Sequence, residues 1–253
     1  EWGRPIKLGE TSIVSSPCLQ NEKNGTLATW VNGSGVHQAT VDLSGSILNV
    51  KTIQPSYIDF NRLVSYQQVG DTFAWKEGPE LFVTTLISET SAVKKVNDFF
   101  EFGIQDYRLF KGAERVYLAC SSKTELAVFA IVGGNLQPIA TEKLEKEISR
   151  LAINEGPDGV PVVIYATKEG LASFLIEGAR ITEDGKLSHF MTSHQVTVDS
   201  MTNSGTEDLS RLDTAFSENE LWISYEVGID SSRNLQGKVY LGRSLPIGSD
   251  SPK

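Results

Sequence analysis

The sequence predicts an all-β fold, a five-bladed β-propeller of four-stranded blades closed by its N-terminal strand, and three observations predict it. Short apolar strands recur at a near-constant period, each is followed by further strand-like runs, and turn signals separate them. The recurrence is carried by Arg62-Leu63, Arg108-Leu109, Arg150-Leu151 and Arg211-Leu212, with Pro17-Cys18-Leu19 in the same place upstream. From leucine to leucine the steps are 63−19 = 44, 109−63 = 46, 151−109 = 42 and 212−151 = 61. Periods of about 40 to 50 residues mark propeller blades, and the last step contains an insertion.

After each leucine comes a second strand rich in aromatic and β-branched residues, at 26–31, 72–76, 115–120, 160–166 and 220–226, carrying Trp30, Trp75, Tyr117, Tyr165 and Trp222. Third strands are expected at 37–43, 81–87, 125–132, 171–176 and 238–243, and less apolar fourth strands at 47–53, 92–96, 136–140 and 186–198. The fifth repeat runs out of chain after Arg243, whereas residues 4–9 precede the first repeat with nothing to pair with. Supplying that segment to the last blade closes the ring and leaves 248–253 as a tail. The reading is one propeller domain over 1–247, with six blades or a pair of β-sandwiches as the alternatives.

The turn chemistry agrees. Asn24-Gly25, Asn32-Gly33 and Asp184-Gly185 are hairpin signals, and Gly133-Gly134-Asn135 and Gly156-Pro157-Asp158-Gly159 mark tight loops. Asn24-Gly25-Thr26 and Asn32-Gly33-Ser34 also fit the N-glycosylation pattern, though turn chemistry explains both. The charged stretch 141–150 suits a turn or two of helix between repeats.

Composition excludes several function classes. The chain has 253 residues, 40% of them hydrophobic, enough for a sizeable core. Lys plus Arg number 23 against 32 Asp plus Glu, a net charge of -9 with no basic stripe, so no nucleic-acid partner is expected. No apolar run reaches the roughly 18 to 20 residues that span a bilayer, so no membrane insertion is expected. The start at Glu1 suggests a processed product, hence an exported, secreted or surface-exposed protein. Cys18 and Cys120 read as two buried thiols, with one disulfide as the alternative.

Candidate chemistry sits on the innermost strands, which line a propeller's channel. Arg62, Arg108, Arg150 and Arg211 are preceded within three residues by Asp59, Asp106, Glu147 and Asp208. Such a ring can hold a sugar, a carboxylate or a peptide end through guanidinium forks, or it can tie neighbouring blades together. Five-bladed furanosidases of the arabinanase and invertase type place acids on inner strands. The resemblance is one of architecture, and it implies glycoside hydrolysis by Asp59, Asp106 and Asp208. The chain departs from that pattern at Ser15-Ser16-Pro17, where a tryptophan-linked aspartate is wanted.

His37, His189 and His194 are the only histidines; a metal site would need further ligands at compatible geometry, for which Asp184 and Asp199 are the nearby candidates, and neither a metal nor a cofactor is expected. His194 falls in the long insertion 183–207, the first candidate for a partner-binding element. The leading expectation is therefore a noncatalytic binding module that recognises a protein or glycan through one propeller face. The alternatives are the hydrolase and a scaffolding ectodomain of a larger assembly.

Overall fold

The structure, a computed structural model, describes residues 17–85, 88, 90–169, 173–197, 207–217, 220–229 and 238–243. Side chains are described for these except 191–197, 207–210, 217, 226–229 and 238–243. The expected N-terminal strand at 4–9, the tail at 248–253 and the middle of the insertion, 198–206, lie outside the described residues.

Nineteen strands among these residues form five antiparallel sheets. The first holds β1 (Cys18–Glu22), β2 (Gly25–Asn32), β3 (Gly35–Asp42) and β4 (Ile47–Ile53). The second holds β5 (Leu63–Val69), β6 (Thr72–Glu77), β7 (Glu80–Thr84) and β8 (Lys94–Lys95). The third holds β9 (Asp106–Lys111), β10 (Val116–Ser121), β11 (Glu125–Val132) and β12 (Asn135–Lys143). The fourth holds β13 (Ile148–Glu155), β14 (Pro161–Lys168), β15 (Ser173–Ile181) and β16 (Leu187–Thr197). The fifth holds β17 (Glu207–Ser217), β18 (Glu220–Ile229) and β19 (Lys238–Arg243). In every sheet the strands lie in chain order, because antiparallel neighbours need only short hairpins.

The chain divides into two compact units, Glu1–Asp98 with Gly133–Asn135, and Phe99–Val132 with Leu136–Lys253. In the first unit β1 lies beside β5. Its core follows from strand alternation: Val31, Val36 and Ile53 are cross-strand neighbours, so all three leave the first sheet on one face. They pack with Ile58 of the connection between the sheets and with Tyr66, Phe73 and Trp75 of the second sheet. Trp75 stands at the centre, 5.7 Å from the Phe73 ring and 5.5 Å from Phe82.

In the second unit β13 lies beside both β9 and β17. The strand β14 is buried along its length except at Lys168. Val163 and Tyr165 join the core shared with Tyr117, Ala119, Leu126 and Val128 of the third sheet. Val162, Ile164 and Ala166 join the core shared with Leu212, Leu221 and Ile223 of the fifth. A strand covered on both faces reads as a continuous apolar run, as Pro161-Val162-Val163-Ile164-Tyr165-Ala166 does. Each Val and Ile side chain of this run contributes about 1.5 to 3 kcal/mol on burial.

Two expectations are corrected, the helix at 141–150 and the less apolar character of the strand at 47–53. Residues 141–150 hold no helix: the segment carries the end of β12 and the start of β13, and its connection is tied down by Leu144 N to Thr124 O (2.7 Å) and Ile148 N to Lys123 O (2.9 Å). The recurring aromatics share a strand but not a register. Trp75 faces Tyr66, Tyr117 faces Phe110, Tyr165 faces Leu151 and Trp222 faces Ala215. Their side chains therefore serve different packing positions, and Trp222 is exposed. Finally, β4 is an apolar outer strand whose Ile47, Leu48 and Val50 are exposed. Cys18 and Cys120 are both free thiols, and burial pushes each thiol pKa up.

The hairpins make glycine positions unequal. Gly25 has φ +154°, and a Cβ there would lie 2.1 Å from the Val41 carbonyl oxygen, whereas a Cβ on Gly33 meets nothing within 4 Å. Gly25→Ala is expected to destabilise the protein by about 1 to 3 kcal/mol and Gly33→Ala by less than about 0.5 kcal/mol, read as urea midpoints.

Candidate functional site

The first strand of a sheet has one edge with no strand beside it in that sheet, so its backbone groups there need other partners. On β13 the Leu151 N–H donates to Asp106 Oδ2 of β9 at 2.9 Å. The other oxygen, Oδ1, accepts Arg108 Nη1 at 3.0 Å and the Tyr107 N–H at 2.9 Å. The same device recurs one sheet on, where Asn154 Nδ2 of β13 donates to the Thr214 carbonyl of β17 at 3.0 Å. In the first unit the Gly70 N–H, in the β5–β6 turn, donates to Gln20 Oε1 of β1 at 2.6 Å. Asp106 and Arg108, a predicted acid and arginine pair, are thus brought together by their own side chains, and Asp106 braces neighbouring sheets.

The other predicted residues are placed differently. Asp59 and Arg62 close a tight turn ahead of β5 by an Arg62 N to Asp59 O bond of 3.0 Å. Asp59 Oδ1 accepts the Asn61 N–H at 3.0 Å, and its own N–H donates to Glu77 Oε1 at 3.1 Å. Glu77, a buried carboxylate, also accepts Trp75 Nε1 at 2.8 Å, so the inner-strand turn is fastened to the aromatic core. Arg62 is exposed, within the field of Glu80. Arg150 donates to the Ser149 carbonyl at 2.7 Å, and Arg211 pairs with Asp213. Glu147 Oε1 accepts Gln105 Nε2 at 3.3 Å. The side chains of Asp208 and His194 lie outside the described residues, although their backbones belong to β17 and β16.

A register shift explains why the four arginines do not form one repeated environment. β5 is irregular between Leu63 and Ser65, β13 between Ile148 and Arg150, and β17 between Leu209 and Arg211, while Arg108 sits in a regular ladder opposite Ala119. A bulge re-aims the side chains beside it, so equal sequence spacing gives unequal directions.

Two arrangements carried no sequence signal. Tyr165 Oη bonds His189 Nδ1 at 3.0 Å, and His189 Nε2 bonds both oxygens of Glu142 at 3.0 and 3.1 Å. These groups come from β14, β16 and β12, too far apart in sequence to be linked by spacing. The second is the turn leading into β9, where Phe99 and Phe102 are 46% and 52% exposed. The turn is fixed: the Phe99 ring meets Phe129 edge-on at 4.9 Å, the Glu101 N–H donates to Glu125 Oε2 at 3.2 Å, and Gln105 N donates to Ser121 O at 2.7 Å. Among the described residues no group of three or more His, Cys, Asp or Glu is arranged to hold a metal ion, and no helix is long and apolar enough to cross a membrane.

Two variants test these assignments. Asp106→Ala is expected to cost about 1 to 3 kcal/mol in urea unfolding, because it strands a backbone N–H and a guanidinium; a solvent-facing ligand group would change stability by less than about 0.5 kcal/mol. Burial, with the Glu177 and Glu142 carboxylates adding to it, pushes the Tyr165 hydroxyl far above its usual value. A raised folded-state pKa gives stability that is fully present below the unfolded value of about 10 and is lost as pH rises beyond it. Stability should therefore fall above pH of about 10, and Tyr165→Phe should flatten that fall in midpoints measured against pH.

No protein-family model matches the chain, and no curated protein matches it. Solved structures do. A chain in the S. cerevisiae structure of a Dbp5 variant bound to Nup159, a Gle1 variant, IP6 and ADP aligns over 89% of this chain at 11% identity and a TM-score of 0.49; this chain spans 59% of its length, under two thirds. The α-L-arabinofuranosidase PaAbf62A from Podospora anserina, in complex with cellotriose, aligns over 96% of this chain and 94% of its own at 10% identity and a TM-score of 0.48. The β-propeller domain of Cps50 (Swd1) from Myceliophteria thermophila aligns over 94% of this chain and 74% of its own at 9% identity and a TM-score of 0.51. Similar structures thus include a glycoside hydrolase and a propeller domain, and at these identities the likeness to the latter concerns the fold alone: four-stranded antiparallel sheets of a propeller-like kind.

Proposed function

We propose that the five sheets are the blades of one closed propeller, with residues 4–9 adding a fourth strand beside β19, and that this molecule is a noncatalytic binding module. In this reading it is exported or surface-exposed and recognises a protein or glycan through the loops at one end of its blades. Unmatched apolar side chains support closure. Trp222 is exposed on the face of the fifth sheet opposite Leu212 and Ile223, and Leu19 and Val50 are exposed on the first sheet. A ring buries such faces, whereas an open row of blades leaves them in water.

The observation that carries the binding reading is the Phe99–Phe102 turn. Two half-exposed aromatic rings on a turn held by ring contacts and backbone hydrogen bonds offer rigid apolar area at little entropic cost, which is what recognition surfaces use. Asp106 speaks against glycoside hydrolysis, since both of its oxygens already accept hydrogen bonds and its role is spent on Leu151 and Arg108.

A glycan array and affinity capture, run with wild type and with a Phe102→Ser variant, which leaves the Phe99 contact with Phe129 in place, test this. The reading predicts a retained ligand whose affinity falls by about tenfold or more in the variant, at an unchanged melting temperature. Absence of any ligand, together with furanoside hydrolysis abolished by Asp59→Asn or Asp106→Asn, contradicts it.

A further inference from the structure

We propose that Asn32 is a self-modifying site, converting through a cyclic imide with Gly33 to aspartyl and isoaspartyl forms, while folding protects the other Asn-Gly pair, Asn24-Gly25. Both pairs have the glycine that lets a backbone nitrogen reach the preceding side chain, since no Cβ stands in the way. What differs is where each glycine nitrogen sits in its hairpin.

Gly25 is the closing residue of the β1–β2 hairpin, paired with Glu22, and it is buried. A closing residue uses its N–H in the ladder, so its nitrogen becomes a nucleophile only after the hairpin opens. Its site is also tight, with the Val41 carbonyl oxygen 2.1 Å from where a Cβ would stand. In the β2–β3 hairpin the closing pair is instead Asn32 with Gly35. Gly33 is then the first residue of the two-residue turn, outside the ladder, exposed, with open space around it.

The Asn32 side chain is already folded over that peptide. Its Oδ1 accepts the Ser34 N–H at 2.8 Å and the Ser34 hydroxyl at 2.6 Å, and lies 2.8 Å from His37 Nε2. His37 Nδ1 lies 3.0 Å from Thr52 Oγ1, so a ring that accepts the Thr52 proton there carries its own proton on Nε2 and donates it to Asn32. The ring is also stacked on Trp30 at 5.3 Å, which fixes its direction. These donors surround the oxygen on which negative charge develops when a nucleophile adds to Cγ, an arrangement that lowers the barrier as an oxyanion hole does.

The step balances without an oxidant or reductant. The Gly33 nitrogen gives up its proton to solvent base and forms a bond to Asn32 Cγ. The Cγ–Nδ2 bond then breaks, and the amide nitrogen takes a proton and leaves as ammonia. Water opens the imide at either carbonyl, giving aspartate or its isomer with the chain rerouted through the side chain. Either product places a new carboxylate beside His37 at the β2–β3 turn.

The test is peptide mapping by mass spectrometry of the intact protein held at mildly alkaline pH, beside the urea-unfolded chain and the Ser34→Ala variant. In the unfolded chain the two pairs should convert at similar rates. In the native protein residue 24 should slow by about tenfold or more, while residue 32 keeps or exceeds its unfolded-chain rate. Ser34→Ala should slow conversion at 32 by about tenfold and leave 24 unchanged. Native-state protection of Asn32 equal to or greater than that of Asn24, or a Ser34→Ala variant with an unaltered rate at 32, overturns the proposal.

Discussion

The edge of β13 that faces β9 is the constraint on which the second unit depends. Four strands in a row satisfy each other's backbones, but the first strand keeps an outward row of N–H and C=O groups that no strand of its own sheet reaches. Water could serve them only if the sheets stood apart, and that would forfeit the cores between them. The chain instead supplies polar side chains from the preceding first strand: Asp106 for Leu151, Asn154 for Thr214. Neighbouring sheets can then close down on apolar faces while their innermost edges stay hydrogen-bonded.

Much else follows from that closeness. With sheets packed on both sides, β14 has no solvent face, and its alternating residues divide between two cores. Tyr165, on one of those faces, keeps its hydroxyl in a dry setting by reaching His189 near the outer strands, and His189 in turn reaches Glu142 of the neighbouring sheet. Polar bonds thus tie the third and fourth sheets at their inner strands and again at their outer ones. The loops between sheets are then free to carry a side chain that the core does not need, such as Phe102.

The strand pattern was legible because its signals are local. β4 and β11 begin and end where the apolar runs and turn residues put them, and the first strands all contain the recurring leucine. Leucine spacing measures chain length, which bulges barely alter. Side-chain direction is another matter. One extra residue between Leu63 and Ser65, or between Ile148 and Arg150, turns the neighbouring side chains without disturbing the count, so four arginines that look equivalent in sequence meet different partners. The aromatic repeat has another origin for its uneven directions: the hairpin connections after the first strands differ in length, so Tyr165 and Trp222 sit three residues apart in register relative to the repeated leucines. The Glu142, His189 and Tyr165 set was illegible because its three strands come together only once the sheets have packed.

Native-state hydrogen exchange at the Leu151 amide tests the central claim most directly. An inner edge sealed by the Asp106 carboxylate predicts that this N–H is protected to the level of ladder amides in the same strand, and that Asp106→Ala exposes it while amides of β14 keep their protection. Rapid exchange of Leu151 in the wild-type protein, at the rate of an open strand edge, would contradict the account, because the acid and arginine repeat would then be facing solvent and available to a ligand.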